Sequence, residues 1–359
     1  MPKKIIIYIN SLNAAGGIER ITTQLINEWV KHYDIKVITK DEGSCFFAIP
    51  KEVAILSIHT PRHLNMNNKL QRIWCTFINT IKSVYKMKVA LQNEDYDYLY
   101  VTTPLNALEA IFSGIPGNKI IVSEHGSAYG INKIYKVIKK LVYPKIRIIT
   151  VPNKMDTDYY NSNGYHAVYI PHIVNRTNTI MNGLSSKIIL NVGRLTADKR
   201  QSLLIESWSK IPEKNGWSLW IVGDGEEKEA LTTLISKLGL NDTVTLLPAT
   251  KQIDKIYRKA SIFAFSSRYE GFGLVLLEAM SYGIPCISFD CPSGPRDIVI
   301  DGNNGYLVQN NNMEEYVKKM NILIHMKNTE LRQMGVQAYT FAQNWNNENI
   351  ICLWDKVFE

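Results

Sequence analysis

The sequence has few cysteines and no long apolar run. Its five cysteines are odd in number and lack metal-binding spacing, which favours a reduced cytoplasmic protein. No stretch approaches the roughly 18 apolar residues of a membrane-spanning helix. The N-terminus leads from two lysines directly into a strand pattern, which gives no indication of a signal peptide.

Two kinds of ligand site are also missing from the sequence. No Asp-x-Asp pair, histidine cluster or cysteine pair offers a divalent metal site, so we expect no divalent metal and no resident cofactor. The loop Ser11–Gly17 carries glycines after the first strand, but it is not G-x-G-x-x-G. No acid sits in the right place about 20 residues later, and this argues against a dinucleotide-dependent oxidoreductase.

Positive charge is concentrated in the first half of the chain. Residues 1–170 contain 21 Lys and Arg against 13 Asp and Glu, whereas residues 171–359 contain 20 of each. The excess suggests an anionic partner for the first half: nucleic acid, a phosphorylated acceptor or an acidic membrane face. Scattered solvating lysines are the alternative. Nucleic acid is disfavoured because basic and aromatic residues are not interleaved.

Apolar runs of strand length alternate with helical patterns along the whole chain, which predicts parallel, doubly wound sheets. The alternation breaks at a segment rich in Asn and Thr. We therefore predict a domain over 1–170, a linker over 171–184 and a domain over 185–340, with a helix within 341–359 packing back on the first domain. The two domains are expected to face each other across a cleft at the carboxyl ends of their strands. The predicted strands are Lys4–Asn10, Lys36–Thr39, Val53–Ile58, Tyr98–Thr102, Lys119–Ser123, Arg147–Val151, Ala167–Ile170, Lys187–Val192, Ser218–Val222, Thr243–Leu246, Ile262–Phe265, Cys286–Phe289 and Tyr306–Val308.

Two predicted helices of the first half are both amphipathic and basic. Residues 69–88 place Trp74 and Phe77 on an apolar side, and residues 131–142 do the same with Ile134. Docking on an anionic membrane or a pyrophosphate-linked lipid is one interpretation. Packing on the core, with the lysines in solvent, is the other. The basic residues assigned to an acceptor or membrane surface are Arg72, Lys133, Lys136, Lys139 and Lys140.

The stretch Ser266–Asp297 holds an unusual pair of acids, Glu270 and Glu278. A strand pattern precedes the glycines between them and a helical pattern follows, so the backbone can approach a ligand and a helix N-terminus can face an anion. Glu278 lies among apolar residues of that helix. A buried carboxylate costs several kcal/mol, as a rough figure, unless it has partners. We therefore expect a partner to meet it.

Two cations follow another predicted strand. Gly193 ends that strand, and Arg194 and Lys199 come after it. Their spacing suits a diphosphate, which Arg194 would contact with its forked guanidinium and Lys199 as a point charge. Surface cations after strands are common, so the pattern is weak alone.

Two further candidate features follow the ends of predicted strands. His125 follows the strand of Ile120–Ser123, where a lone histidine is more often structural, although its place at the predicted cleft favours function. The turn Ile221–Gly225 is interpreted as structural, with Asp224 capping the next helix.

Together these motifs resemble the retaining GT-B glycosyltransferases of the group 1 family, which use nucleotide-activated sugars. The resemblance covers essentially the whole chain: GGIER begins at Gly16, EHGS at Glu124, GRLTADK at Gly193, VGDG at Val222 and EGFGLVLLEAM at Glu270. The last motif is highly specific, and each of the others is weak alone. The resemblance implies an α/β fold of two Rossmann-like domains facing a cleft, the first binding the acceptor and the second the nucleotide-sugar.

The resemblance also implies roles for individual residues. Glu270 would face the donor sugar, Glu278 would accept hydrogen bonds from the ribose, and Arg194 and Lys199 would hold the diphosphate. His125 would lie by the reacting centre. The catalytic set is thus His125, Glu270, Arg194 and Lys199, and the donor-binding set adds Gly16, Gly17, Gly193, Gly271, Phe272, Gly273, Leu274, Val275 and Glu278.

One segment departs from the family pattern. After the acid motif, members often carry Gly-Gly and a Glu, where this chain has Ser293-Gly294-Pro295-Arg296-Asp297. That form is similar to bacterial transferases that add Gal, GalNAc or GlcNAc to lipid-linked surface glycans.

The predicted function is transfer of a hexose or N-acetylhexosamine from a UDP-sugar to a polyprenyl-diphosphate oligosaccharide, with retention and without metal. This would serve O-antigen, capsule or similar surface-glycan synthesis, in the cytoplasm and peripherally on the anionic inner membrane face. The alternatives are a UDP-sugar epimerase of the same fold and a non-catalytic nucleotide- or glycan-binding subunit.

Overall fold

A computed structural model describes residues 2–14, 16–61, 69–130, 133–174, 180–345 and 347–359, without the side chains of residues 69, 70 and 72. Its contacts divide the chain into two compact units. The N-terminal unit comprises Met1–Ile173 and Asn347–Glu359, and the C-terminal unit comprises Val174–Asn346. The last helix therefore belongs to the N-terminal unit.

The N-terminal unit is built on a seven-stranded parallel sheet of order β3-β2-β1-β4-β5-β6-β7. Its central strands are apolar and buried on both faces, as a parallel sheet covered by helices requires. The register of β1 and β2 runs from Lys4 opposite Asp34 to Ile9 opposite Thr39. The strands are β1 (Lys4–Ile9), β2 (Asp34–Thr39), β3 (Ala54–Ser57), β4 (Tyr98–Val101), β5 (Ile120–Ser123), β6 (Ile148–Val151) and β7 (Ala167–Tyr169).

Helices connect these strands and cover the sheet. Helix α3 begins at a proline preceded by the capping residue Thr103, whose side chain accepts a hydrogen bond from the Asn106 amide. Helix α3 packs against both α2 and α4. The helices of this unit are α1 (Gly17–Trp29), α2 (Lys69–Leu91), α3 (Pro104–Phe112), α4 (Lys133–Val142), α5 (Lys154–Ser162) and, at the end of the chain, α13 (Asn347–Phe358).

The C-terminal unit repeats this plan with a six-stranded parallel sheet of order β10-β9-β8-β11-β12-β13. Its strands are β8 (Ile188–Val192), β9 (Ser218–Val222), β10 (Val244–Leu247), β11 (Ile262–Phe265), β12 (Cys286–Asp290) and β13 (Gly305–Gln309). Its helices are α6 (Gln201–Ser209), α7 (Lys228–Lys237), α8 (Ile253–Tyr257), α9 (Leu274–Ser281), α10 (Pro295–Ile298), α11 (Met313–His325) and α12 (Asn328–Asn344). Every predicted strand is confirmed, with ends that shift by one or two residues at most.

Helix α13 is held on the N-terminal unit by aromatic packing. The Trp29 ring meets Trp354 at 4.9 Å and Phe358 at 5.1 Å between ring centroids, both edge-to-face. The Tyr33 hydroxyl donates a 2.5 Å hydrogen bond to Asp355. Burial of three large rings at one contact accounts for the return of the chain end to this unit.

Candidate functional site

A glycine turn joins β11 to α9 in the C-terminal unit. Gly273 stands directly before α9 with φ of 94° and ψ of 44°, a left-handed conformation that side-chain-bearing residues rarely adopt. No side chain caps the helix there. The amides of the first turn of α9 are therefore directed at whatever lies before the helix, which suits an anion.

Lys199 and Glu270 lie in direct contact beside this turn. The Lys199 ammonium is ion-paired with the Glu270 carboxylate. The Ser267 hydroxyl donates a 2.6 Å hydrogen bond to the same carboxylate, and Ser266 donates one of 2.8 Å to the Lys199 carbonyl. The Glu270 side chain is 12% exposed and that of Lys199 27% exposed. The structure thus brings two of the predicted donor residues together, at a place that a ligand can still reach.

Arg194 lies on the exposed loop after β8. Among the residues that the structure describes, its guanidinium has no hydrogen-bond or ion-pair partner. Close packing holds the loop itself: a Cβ built on Gly223 would lie 1.9 Å from the Gly193 carbonyl oxygen. The Val222–Gly225 turn therefore supports this loop. The backbone at Arg194 is held in place, while its guanidinium is exposed and has no partner among the described residues.

The predicted capping role of Asp224 is wrong. Helix α7 is preceded by Glu227 and has no side-chain cap. Asp224 instead accepts a 2.9 Å hydrogen bond from the Ala249 amide and pairs with Lys228 at 3.4 Å. Its carboxylate therefore ties the end of β9 to the loop after β10.

Glu278 is less isolated than its apolar neighbours suggest. It is half-buried, and its carboxylate accepts a 3.1 Å hydrogen bond from the Tyr257 hydroxyl. The Tyr257 ring stacks on Tyr282 with 5.3 Å between centroids. The Tyr257 hydroxyl is thus the expected partner of the Glu278 carboxylate, and a ribose is not needed to explain the carboxylate. Glu278 is also partly exposed, so a ribose hydroxyl could reach it as well.

Arg200 organises the loops around Lys199 and Glu270, a role that the sequence does not reveal. Its guanidinium donates 2.8 Å hydrogen bonds to the Ser266 and Ser267 carbonyls. It also donates to the side chains of Asn311 at 2.6 Å and Asn310 at 3.1 Å. Arg200 thereby links the segments that follow β8, β11 and β13. The only signal in the sequence is a second cation beside Lys199.

Replacing Arg200 by glycine is expected to raise the donor KM about tenfold, because charge-assisted hydrogen bonds that place Ser266 and Ser267 are lost. Arg200 has φ of 50° and ψ of 42°, a left-handed backbone that glycine adopts without strain. The backbone should therefore keep its path. Arg200→Lys should give an intermediate KM. A lowered melting temperature with unchanged KM in both variants would show that Arg200 serves stability alone.

The segment that departs from the family pattern lies beside the acid motif. The Glu270 amide donates a 3.3 Å hydrogen bond to the Pro292 carbonyl. Gly294 has φ of 104°, and a Cβ there would lie 2.0 Å from the Phe272 carbonyl oxygen. Arg296 forms a two-pronged ion pair with Asp290, at 3.0 and 2.8 Å. The charge of Arg296 is therefore neutralised by the last residue of β12.

His125 follows β5 in the N-terminal unit, with its ring against a second histidine. The rings of His125 and His172 stack with 5.4 Å between centroids and 20° between planes. Both His125 ring nitrogens are covered and lack a hydrogen-bond partner among the described residues. Burial lowers the pKa of His125 to about 4. The ring is therefore neutral near pH 7 and has two unused polar atoms.

Gly16 and Gly17 end the loop after β1 and begin α1. A Cβ on Gly16 would lie 2.2 Å from the Glu19 carboxylate, whereas no described atom other than those of its chain neighbours and the nearby backbone of its own helix lies within 4 Å of one on Gly17. These glycines and His125 belong to the N-terminal unit, and all other predicted donor residues belong to the C-terminal unit.

Helix α4 exposes only part of the predicted basic set. Lys133, Lys136 and Lys140 are exposed. Lys139 is buried and ion-paired with Glu124 at 2.6 Å, so its assignment to an outward surface is wrong. The reason is helical geometry, because Lys139 projects from the inner side of α4. The side chain of Arg72 lies outside the described residues.

The apolar faces of α2 and α4 are turned to solvent, not to the core. On α4, Ile134, Val137 and Leu141 are each more than half exposed. On α2, the exposed apolar side chains recur along one side of the helix. They are Ile73, Trp74, Phe77, Ile78, Ile81, Tyr85 and Val89.

The described residues contain neither a metal-binding cluster nor a membrane-spanning helix. No group of three or more His, Cys, Asp or Glu side chains in the described part is placed to hold a metal ion. Within the same residues, no helix is both long and apolar enough to cross a membrane.

Comparison with known proteins identifies the class. The fold matches the crystal structure of a Staphylococcus aureus TarM mutant in complex with Fondaparinux, alpha-GlcNAc-glycerol and UDP. The match has a TM-score of 0.80 and 16% sequence identity, and it covers 99% of this chain and 100% of that chain. The two parallel Rossmann-like sheets define the GT-B fold. The family model for glycosyl transferases group 1 matches residues 181–341. Residues 181–341, which make up most of the C-terminal unit, thus resemble the group 1 glycosyltransferases.

Two relatives come from bacterial glycan synthesis. The amylovoran biosynthesis glycosyltransferase AmsD of Erwinia amylovora is 28% identical over 99% of both chains. An N-acetyl-D-galactosaminyltransferase of Campylobacter jejuni, named for a diphospho-undecaprenol-linked acceptor, is 23% identical over 90% of both chains.

Proposed function

We propose that this glycosyltransferase moves a hexose or N-acetylhexosamine from a UDP-sugar to a polyprenyl-diphosphate-linked oligosaccharide, with retention of anomeric configuration. The observation that carries the proposal is the Lys199–Glu270 contact beside the uncapped start of α9. It places a cation, a carboxylate and helix amides within one small region. The cation and the helix amides suit a diphosphate, and the carboxylate suits the hydroxyls of a sugar.

The difficult step is breakage of the bond between the anomeric carbon and the UDP oxygen. Negative charge then develops on the diphosphate, and positive charge on the sugar ring. Arg194 and Lys199 stabilise the leaving diphosphate, together with the amides at the start of α9. Glu270 leaves its ion pair with Lys199 in part and accepts hydrogen bonds from the donor sugar. No metal is required, because these groups neutralise the leaving charge.

The acceptor hydroxyl attacks from the face that the diphosphate leaves, which preserves the anomeric configuration. A new bond forms between its oxygen and the anomeric carbon, and its proton passes to a phosphate oxygen of the departing UDP. Neutral His125 would help by hydrogen bonding to the sugar through a ring nitrogen that donor binding uncovers. UDP carries the electron pair of the broken bond.

A lipid-linked acceptor is supported by the exposed helices of the N-terminal unit. The apolar side chains of α2 and α4 lie beside exposed lysines, a combination that binds an anionic membrane surface. The Campylobacter relative is named for an acceptor on diphospho-undecaprenol. Residence at such a membrane would bring the enzyme to an acceptor of this class.

The test is a panel of UDP-, GDP- and ADP-sugars, screened by saturation-transfer NMR and then incubated with undecaprenyl-diphosphate oligosaccharides. Formation of an elongated lipid product with release of UDP is expected. Conversion of the UDP-sugar to another sugar nucleotide without acceptor would identify an epimerase. Binding of UDP without turnover on any acceptor would indicate a binding subunit.

Membrane docking predicts a specific response to charge and apolarity. The protein should float with vesicles containing anionic lipid, and the variant Lys133→Glu/Lys136→Glu/Lys140→Glu should lose most of this binding, since each surface lysine contributes about 1 kcal/mol. Trp74→Ser/Phe77→Ser should also weaken it, through lost apolar contact. The matched control is Lys237→Glu on α7, which lies in the C-terminal unit. Equal flotation of all four proteins would contradict the membrane assignment.

A further inference from the structure

A closed polar cluster ties helix α4 to the loop that carries His125. Lys139 of α4 and Glu124 are both buried, with side chains 7% and 6% exposed, and their charged atoms are 2.6 Å apart. The Tyr143 hydroxyl also donates to the Glu124 carboxylate. The Lys139 ammonium donates a 2.5 Å hydrogen bond to the Tyr160 hydroxyl. Each charge therefore has more than one partner.

The aromatic rings enclose the ammonium as well. Lys139 lies 5.1 Å from the centroid of the Tyr160 ring and 5.6 Å from that of Tyr143. Cation–π attraction of this kind is stronger where water is excluded. The Lys139 ammonium is thus held by a carboxylate and by two aromatic rings, so rotation or translation of α4 would have to carry Glu124 with it.

His125 lies between two anchored points of one loop. Glu124 is fixed on one side by Lys139, and its amide donates a 2.9 Å hydrogen bond to the Thr150 carbonyl of β6. On the other side, the Ala128 amide donates a 3.1 Å hydrogen bond to Asp156. The His125 ring itself has no hydrogen bond within the described residues. Its position therefore depends on the loop ends and on the stack with His172.

We propose that the Lys139–Glu124 ion pair is a positioning device, which sets His125 relative to the outward-facing, lysine-rich side of α4. This rests on the proposed function, because it assigns His125 to the donor sugar. The two faces of α4 then have different tasks. Its outer face meets the membrane or the lipid-linked acceptor, and Lys139 on its inner face transmits the position of the helix to the His125 loop.

The test removes the charges without removing the packing. Glu124→Gln/Lys139→Met keeps side chains of similar size, and replacing a buried ion pair by neutral groups is often close to neutral for stability. We expect the double variant to fold and to bind UDP normally, because Arg194, Lys199 and Glu278, which are predicted to hold the diphosphate and the ribose, all lie in the C-terminal unit. Its kcat should fall about 10- to 100-fold, the usual effect of a displaced catalytic group.

A comparison in the His125→Ala background separates positioning from a purely structural role. If the pair acts through His125, adding Glu124→Gln/Lys139→Met to His125→Ala should change kcat little further. An equal fall in kcat with and without His125 would overturn the proposal, as would a kcat within about twofold of wild type in the double variant. The matched control is Lys40→Met/Glu109→Gln, which neutralises another buried ion pair of the same unit and should leave kcat unchanged.

The NMR resonance of His125 and the binding of UDP separate failure of the positioning role from failure of the proposed function. The ring Cε1–H resonance of His125 should move in Glu124→Gln/Lys139→Met and stay in place in the control, whether or not the donor is a UDP-sugar. Wild-type protein that binds no UDP would refute the proposed function alone. If the double variant does not fold, Tyr143→Phe removes one hydrogen bond to Glu124, and an unchanged resonance and kcat in that variant would overturn the positioning role.

Discussion

Replacing Arg194 by alanine should lower kcat about a thousandfold, since loss of one preorganised charge at a leaving group costs roughly 3–4 kcal/mol. Arg194 lies on a closely packed loop, and its guanidinium has no partner among the described residues, so its charge is available to the diphosphate. The protein should keep its melting temperature. The measurement is UDP release with acceptor present, compared at saturating donor.

Two variants sharpen the Arg194 result. Arg194→Lys keeps the charge but loses the forked geometry and should recover part of the activity. Lys237→Ala removes an exposed cation of the same unit and should have no effect. Turnover of Arg194→Ala close to wild type would remove Arg194 from the catalytic set and leave charge stabilisation to Lys199 and the α9 amides.

Replacing Glu278 by alanine should weaken UDP binding about 10- to 100-fold, because hydrogen bonds to a charged group contribute roughly 1.5–3 kcal/mol. The carboxylate is half-buried and accepts a hydrogen bond from Tyr257, so its removal leaves that hydroxyl without its acceptor and any ribose hydroxyl without a partner. Isothermal titration with UDP measures the loss.

The ribose assignment has its own control. Glu278→Ala should not weaken binding of 2′,3′-dideoxyuridine diphosphate, which has no ribose hydroxyls for the carboxylate to accept from. Tyr257→Phe removes the protein partner and should weaken UDP binding much less than Glu278→Ala does. An equal loss for UDP and the dideoxy compound would mean that Glu278 supports the fold of the site instead of touching the ribose.

Much of the fold could be predicted because each βα unit is a local pattern. Buried parallel strands are continuous apolar runs, and their ends are marked by glycine, by polar residues or by the next helix. The acid motif could be found for a similar reason, because Glu270, the glycine turn and Glu278 are close in the chain. The contact of Lys199 with Glu270 joins residues 71 positions apart and needed the sheet, which places the ends of β8 and β11 side by side.

The remaining site residues gave no comparable signal. Arg200 looks like an ordinary cation after Lys199 in the sequence, yet it is buried and donates hydrogen bonds to two separate segments, which follow β11 and β13. In the sequence Tyr257 is one of 19 tyrosines with nothing to distinguish it, yet its hydroxyl donates a hydrogen bond to Glu278. Neither could be predicted, because a side chain's partner depends on which distant loop the fold brings to it.

The sequence by itself determined the order of strands and helices, the two-unit plan, the family resemblance and the acid motif, since all of these depend on short-range patterns. Only the tertiary structure decided which side of a helix faces inward. Three lysines of α4, Lys136, Lys139 and Lys140, are the same residue type in the same helix. Of these three only Lys139 is buried, where it contacts Glu124. Likewise, the apolar face of α2 is exposed although its periodicity is equally typical of a core helix. Helical periodicity defines the faces of a helix, whereas the neighbours that the chain folds against it determine what each face meets.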